Sequence, residues 1–318
     1  MILKKPTTEF KIKKDKQIFL HELYEPFNQK KANDILNCGV DLWFLLKQHK
    51  STLEKKYFLE SMYTCKDRFC IFCNWRRELK YKRLTYQFLD DLQRKKRLRY
   101  IFLTLTVKNC NISDLRGTIR QMSEAFKRMK ESKRFKISIL GYLRALEFTI
   151  EKGTGDMMHP HFHCMIAVEQ IYFSLNRDLY INQEEWVNMW QKALRVDYKP
   201  SVDIRVVEMD RKRKTRPTVI AEMIKYTMKD TDIRKVDDFE ELTKQLKGIR
   251  IFNAGGILKG ILKKTEEIDK DLVHINEEDQ SELWTVLERV LYCYEKIIDI
   301  NKFDYFLKKK QIQTTTKI

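Results

Sequence analysis

The segment His159-Pro-His-Phe-His-Cys-Met-Ile-Ala-Val168 constrains the fold more than any other stretch of the chain. Side chains of a β-strand alternate between faces, so an extended backbone here sets His161 and His163 on one side. Phe162, Cys164, Ile166 and Val168 then fall on the other side, which reads as a core face. The chain must supply a sheet that buries Phe162 and carries two imidazoles opposite it. Three of the 6 histidines lie between positions 159 and 163.

The neighbouring elements can be read in the same way. Tyr100 to Val107 is a β-branched and aromatic run, the pattern of a buried strand. Ile137 to Ile150 is a second strand region, and Gly153 and Gly155 mark the turn that leads to the histidine strand. Val202 to Val207 alternates as a fourth strand. Leu115, Ile119, Met122 and Phe126 have helical spacing within 112–134, residues 183–195 read as helix, and Pro217 suits the first turn of another. This order predicts an α+β fold, an antiparallel β-sheet with helices packed on one face. Residues 1–35 read as basic and partly extended, and those beyond about 235 as an acidic, helical C-terminal region. The expected division is 1–84, a basic N-terminal region with a cysteine knuckle; 85–235, the sheet domain; and 236–318, the C-terminal region.

Lys and Arg number 63 against 45 Asp and Glu, a net charge of +18 that suits a polyanion such as nucleic acid. The plainer alternative is a merely soluble basic protein. No apolar run reaches the roughly 18 residues of a membrane span, and the N-terminus lacks the apolar core of a signal peptide. A cytoplasmic protein without a membrane partner is expected. Its 7 cysteines then read as thiols or metal ligands rather than disulfides.

Three clusters carry chemistry. His161 and His163 form a natural pair of divalent-metal ligands. If the hairpin centres on Gly155, Glu147 sits opposite His163 and supplies a third ligand, leaving positions open for a phosphate oxygen. The bland alternative is two half-exposed strand histidines. In 217–229, Ile220, Met223, Ile224, Thr227 and Met228 form a core stripe, and Glu222, Tyr226 and Lys229 share the other side. Tyr226 could attack a DNA phosphate, keeping the 5′ end as a phosphotyrosine and freeing a 3′ hydroxyl. Lys229 could steady the phosphate or lower the phenol's pKa, and Glu222 could activate the group that releases the link. An ordinary surface helix is the alternative. Cys65, Cys70 and Cys73, with Cys38 upstream, match a four-thiolate structural zinc site, with Arg68, Arg76 and Arg77 placed to lie on DNA. Buried free thiols are the alternative there, and Cys110, Cys164 and Cys293 read as lone structural thiols.

Taken together and in this order, the clusters resemble the replication initiators of small rolling-circle plasmids of Gram-positive bacteria, within the His-hydrophobic-His endonuclease superfamily. The resemblance covers roughly residues 36–260. Phe102-Leu-Thr-Leu-Thr-Val107 looks like the first motif, His159 to His163 the metal-binding second, and Glu222 to Lys229 the third with its nicking tyrosine. The Cys38-Gly39 and Cys65 to Cys73 segments resemble the family's cysteine-rich front. Ile71 stands where the family commonly has proline.

The resemblance implies Mg²⁺ or Mn²⁺ at the histidines, recognition and strand-specific nicking of plasmid origin DNA, and strand closure at termination. It assigns Glu222 the role of letting water end the cycle. A host helicase and DNA polymerase follow as partners, with a homodimer as a further expectation. Two rivals remain. A single-strand transposase or relaxase of the same superfamily would differ in motif order or length. A non-catalytic, zinc-containing DNA-binding regulator gives no reason for Glu147, His161, His163 and Tyr226 to occur together.

Overall fold

The computed structural model describes residues 5–150, 157–174, 179–207, 233, 236, 238–265, 270–274, 283–297 and 302–312. In chain order the elements are α1 (Thr8–Tyr24), α2 (Gln29–Asn37), β1 (Asp41–His49), β2 (Lys55–Met62), α3 (Ile71–Lys95), β3 (Leu98–Thr106) and β4 (Cys110–Asn111). There follow α4 (Leu115–Glu131), α5 (Lys133–Ser138), β5 (Gly141–Ile150), β6 (Met157–Glu169), α6 (Gln183–Leu194) and β7 (Val202–Val207). The last described elements are α7 (Phe239–Leu246), β8 (Phe252–Gly256), α8 (Gly260–Thr265), β9 (Trp284–Ile297) and β10 (Lys302–Ile312). They form two compact units, one of residues 1–80 with 268–318 and the other of 81–267.

The 81–267 unit is built on an antiparallel sheet of order β7-β3-β6-β5-β8, with β4 also paired to β6. Alternation along β6 sends Phe162, Cys164, Ile166 and Val168 into a fully buried layer. Helices α4 and α6 cover that layer. On α4, Leu115, Ile119, Met122, Phe126 and Met129 recur at helical spacing and are buried. The Phe126 ring lies 4.9 Å from Tyr142 and 6.2 Å from Phe162, both edge-on. Helix α6 starts with a capping box, in which Asn182 and Glu185 satisfy each other's backbone N–H groups. The Trp190 indole N–H of α6 donates to the Thr106 carbonyl at 2.8 Å, fixing the helix to the end of β3.

Among the described residues, the cover on the opposite face lies at one end. There Tyr100, Phe102, Leu143, Met165 and Ala167 pack with Leu89 of α3, and with Leu258 and Ile261 next to and within α8. Helices thus lie on both faces of the sheet, where the sequence predicted one. Helical spacing shows that α3 has an apolar stripe but not which sheet face it covers. Gly256 lets β8 come close: its φ is +58°, and a Cβ there would lie 2.1 Å from the Leu140 carbonyl oxygen.

The 1–80/268–318 unit is a four-stranded antiparallel sheet of order β10-β9-β1-β2. Helix α1 covers one face, its Phe10 ring 5.7 Å from Phe44. Two expectations are corrected here. Within the segment expected to be partly extended, the described residues 5–35 are largely helical, because Phe10, Lys14, Gln17, Leu20 and Tyr24 repeat every three to four positions and are buried. The helical C-terminal region holds for α7 and α8, but β9 and β10 pair antiparallel with each other, and β9 also pairs with β1. The run Trp284-Thr-Val-Leu-Glu-Arg-Val-Leu-Tyr-Cys-Tyr294 is aromatic and β-branched, and that composition outweighs the acidic residues before it. No helix among the described residues is long and apolar enough to cross a membrane.

Candidate metal centres

Strands β5 and β6 bring the first cluster together. Glu147 pairs across with His161 and Ala145 with His163, so the expected Glu147–His163 register is corrected. With glycines at 153 and 155 the turn residues alone did not decide the register; the pairing of Ile150 with Met158 does. The change keeps Glu147 on the histidine face, because alternate residues of a strand share a side. The Glu147 Oε2 lies 2.8 Å from His163 Nε2 and 3.6 Å from His161 Nε2. The two Nε2 atoms are 3.1 Å apart.

The other nitrogens of both rings are occupied. His161 Nδ1 lies 3.2 Å from the His159 carbonyl, which can only accept, so this nitrogen carries the proton and Nε2 presents a lone pair. His163 Nδ1 meets the Thr104 hydroxyl at 3.2 Å, and the Phe102 ring stacks on the imidazole at 5.2 Å. When a cation is bound and both rings are neutral, a proton on each Nδ1 leaves two Nε2 lone pairs and a carboxylate converging on one point. Without a cation, a proton on Nε2 lets the imidazoles donate to the carboxylate instead. Ligand bonds of about 2.1 Å at near right angles set donors about 3 Å apart, which this trio matches. Burial pushes the Glu147 carboxyl up, but hydrogen bonds and charge from His161 and His163 outweigh it and hold it at about 2. Imidazole suits a transition metal and carboxylate a harder ion such as Mg²⁺ or Mn²⁺, so the mixed set fits a divalent cation with open positions.

The second cluster gathers Cys38, Cys65, Cys70 and Cys73, which could hold a metal such as zinc. Sγ–Sγ separations are 3.4 Å for Cys38–Cys73, 3.7 Å for Cys65–Cys73 and 3.8 Å for Cys38–Cys70. Zn–S bonds of about 2.3 Å in a tetrahedron put sulfurs about 3.8 Å apart, whereas a disulfide needs about 2.05 Å. Hydrogen bonds from Cys65, Cys70 and Cys73 draw the Cys38 thiol well down, while burial drives that of Cys70 up. The buried Lys14 ammonium donates to the Cys38 carbonyl at 2.7 Å and sets a positive charge beside the sulfurs. Ile71 opens α3, the early-turn position that also tolerates proline.

Arg76 departs from the expectation of DNA contact. It is 7% exposed, its Nε donates to the Leu272 carbonyl at 2.9 Å, and a second donation goes to Val273. Burial lowers its pKa to about 10. Arg77 donates to the Asp67 carbonyl and to Asn74 Oδ1, each at 2.9 Å, and so braces the knuckle loop. Arg68 is half-buried beside the same loop. Glu222, Tyr226 and Lys229 lie outside the described residues. The sequence reading missed Thr104 and the pair of His159 with Asn109, Nδ1 to Oδ1 2.6 Å. Thr104 had a signal: it faces His163 across β3 and β6 and lies two residues from Phe102.

Comparison with known proteins bears on what these centres serve. A family described as Replication protein matches residues 56–303. A Protein rep of Lentilactobacillus hilgardii is 33% identical over 293 residues, covering 88% of each chain. One of Bacillus amyloliquefaciens is 35% identical, over 86% of this chain and 85% of its own. One of Streptococcus pneumoniae is 34% identical, over 86% and 83%. No solved structure matches.

Proposed function

The chain belongs to the Replication protein family, and from that premise we propose that it starts rolling-circle replication of a plasmid by nicking one strand at the origin. The observation that carries this reading is the convergence of Glu147, His161 and His163 on a single cation-sized point. Mg²⁺ or Mn²⁺ held there would polarise a non-bridging oxygen of the scissile phosphate. The phenol of Tyr226 attacks phosphorus, the bond to the 3′ oxygen breaks, and the phenolic proton ends on that oxygen. The products are a 5′-phosphotyrosine and a 3′ hydroxyl, the primer for a host polymerase behind a host helicase. Lys229 steadies the phosphate charge, and Glu222 takes a proton from the water or hydroxyl that later releases the strand. Thr104 and the His159 carbonyl hold both imidazoles in the tautomer that offers Nε2. Zinc at Cys38, Cys65, Cys70 and Cys73 serves structure alone.

The test is incubation of the supercoiled parent plasmid with the protein and Mn²⁺, with both ends of the cut mapped. Open circles carrying protein on one 5′ end, absent with Tyr226→Phe, support the proposal. Specific binding with no covalent product in either protein overturns it in favour of a regulator.

A further inference from the structure

One face of the β10-β9-β1-β2 sheet is packed by α1; the other carries a different chemistry. Alternation and register put Trp43, Phe58, Trp284 and Phe306 on this second face, with Leu45 between them. Trp43, Phe58 and Trp284 are half-buried, and Phe306 is 39% exposed. Cations lie over these rings: the Arg289 guanidinium is 4.0 Å from the Trp43 ring centre and the Lys47 ammonium 4.8 Å from that of Phe58. The Trp284 ring meets Phe58 edge-on at 5.2 Å. Lys56 pairs with Lys47 and Lys309 with Leu291, which brings two further cations to the same face. The acids there are Asp41, Glu60, Asp304 and Glu295, of which Glu60 is paired with Arg289 at 2.5 Å, Asp304 with Lys5 at 3.4 Å and Glu295 with Lys308 at 2.5 Å.

Aromatic rings interleaved with Lys and Arg on a sheet are the surface that unpaired bases and their phosphates fit together. The bases stack on rings or guanidinium planes, and the phosphates meet the ammonium groups. A duplex hides its base faces and would use only the cations. A protein partner of ordinary composition would leave Lys47, Lys56 and Lys309 without counter-charge. We propose that this face binds single-stranded DNA by stacking, separately from the metal centre that cuts it. The inference rests on the reading that the chain handles an unwound strand, and it extends that reading to a second contact.

The experiment uses the full chain with Tyr226→Phe, so that no covalent product contributes, and no added Mn²⁺. The probe is a fluorescein-labelled oligothymidylate of about 20 nucleotides, read by anisotropy beside a duplex of the same length. Trp43→Ala and Phe58→Ala should each weaken oligothymidylate binding by about tenfold, with the duplex changed much less. Lys47→Gln should also flatten its salt dependence. Trp43→Phe should retain most of the affinity. If Trp43→Ala does not fold, Phe306→Ala, on an exposed ring, carries the same expectation. Unchanged oligothymidylate affinity in these variants overturns the proposal, as does an equal loss on duplex. Loss of self-association in sedimentation, with DNA affinity intact, assigns the face to a second copy and also overturns it. Failure of the parent chain to nick plasmid would leave this binding result standing, so the two readings fail separately.

Discussion

His161 and His163 face each other through Nε2 atoms 3.1 Å apart, and the nitrogens on their far sides are engaged by the His159 carbonyl and the Thr104 hydroxyl. Nitrogens so placed, with the Glu147 carboxylate beside them, define a site that a cation or a proton can fill. Glu147→Gln keeps the side chain's shape and removes its charge. Calorimetric titration of Mn²⁺ should show affinity reduced by at least about ten- to a hundredfold, the range already typical of changes outside the ligand shell. Equal affinity in wild type and variant would place the ion elsewhere.

The same carboxylate sets an acid limit on the metal-free protein. Its folded value of about 2 lies below the ordinary unfolded glutamate value of about 4.3, so its contribution is complete above that unfolded value. It is lost as pH falls through the folded value. The contribution is on the order of 3 kcal/mol, and the side chain is only 12% exposed. Denaturant melts taken without divalent metal should show the wild type losing stability between about pH 5 and 2, with a flatter slope in Glu147→Gln. Parallel slopes would show that the carboxylate is not held by the imidazoles.

The sulfur cluster predicts one Zn²⁺ per chain, released together with reactive thiols when a chelator is added. Cys70→Ser should release the metal and lower the melting temperature. Cys164 behaves differently. It is fully buried, and burial pushes its thiol up to about 12, so iodoacetamide at about pH 8 should leave it unmodified in the folded protein. Mass mapping of labelled cysteines checks both statements.

Two glycines should respond in opposite directions. Gly256→Ala meets the Leu140 backbone in a left-handed conformation and should cost about 2 kcal/mol or more. Gly117 lies on the exposed side of α4 with open space around its Cβ position, so Gly117→Ala should stabilise by about 0.5–1 kcal/mol. Chemical denaturation measures both.

The sequence made the site's faces legible because strand alternation has a period of two. It put Phe162 in the core and the imidazoles opposite without reference to any partner. Register was less legible: Gly153 and Gly155 both permit a turn, and the choice depends on pairing along the whole of β5 and β6. Arg76 was misread because a guanidinium beside cysteines looks the same in sequence whether it faces DNA or two backbone carbonyls. The final strand pair was hidden by the acidic stretch before it, since charge density reports solvent exposure and not backbone geometry. Its pairing with β1 is a long-range contact that no local pattern encodes.

The central claim is that a divalent ion at Glu147, His161 and His163 serves covalent attack by Tyr226. It is tested most directly by digesting the protein–DNA product formed with Mn²⁺ and locating the nucleotide by mass spectrometry. The account predicts a single modified peptide with the nucleotide phosphate on Tyr226, and none from His161→Ala. A nucleotide on another residue, or an undiminished yield from His161→Ala, would contradict it.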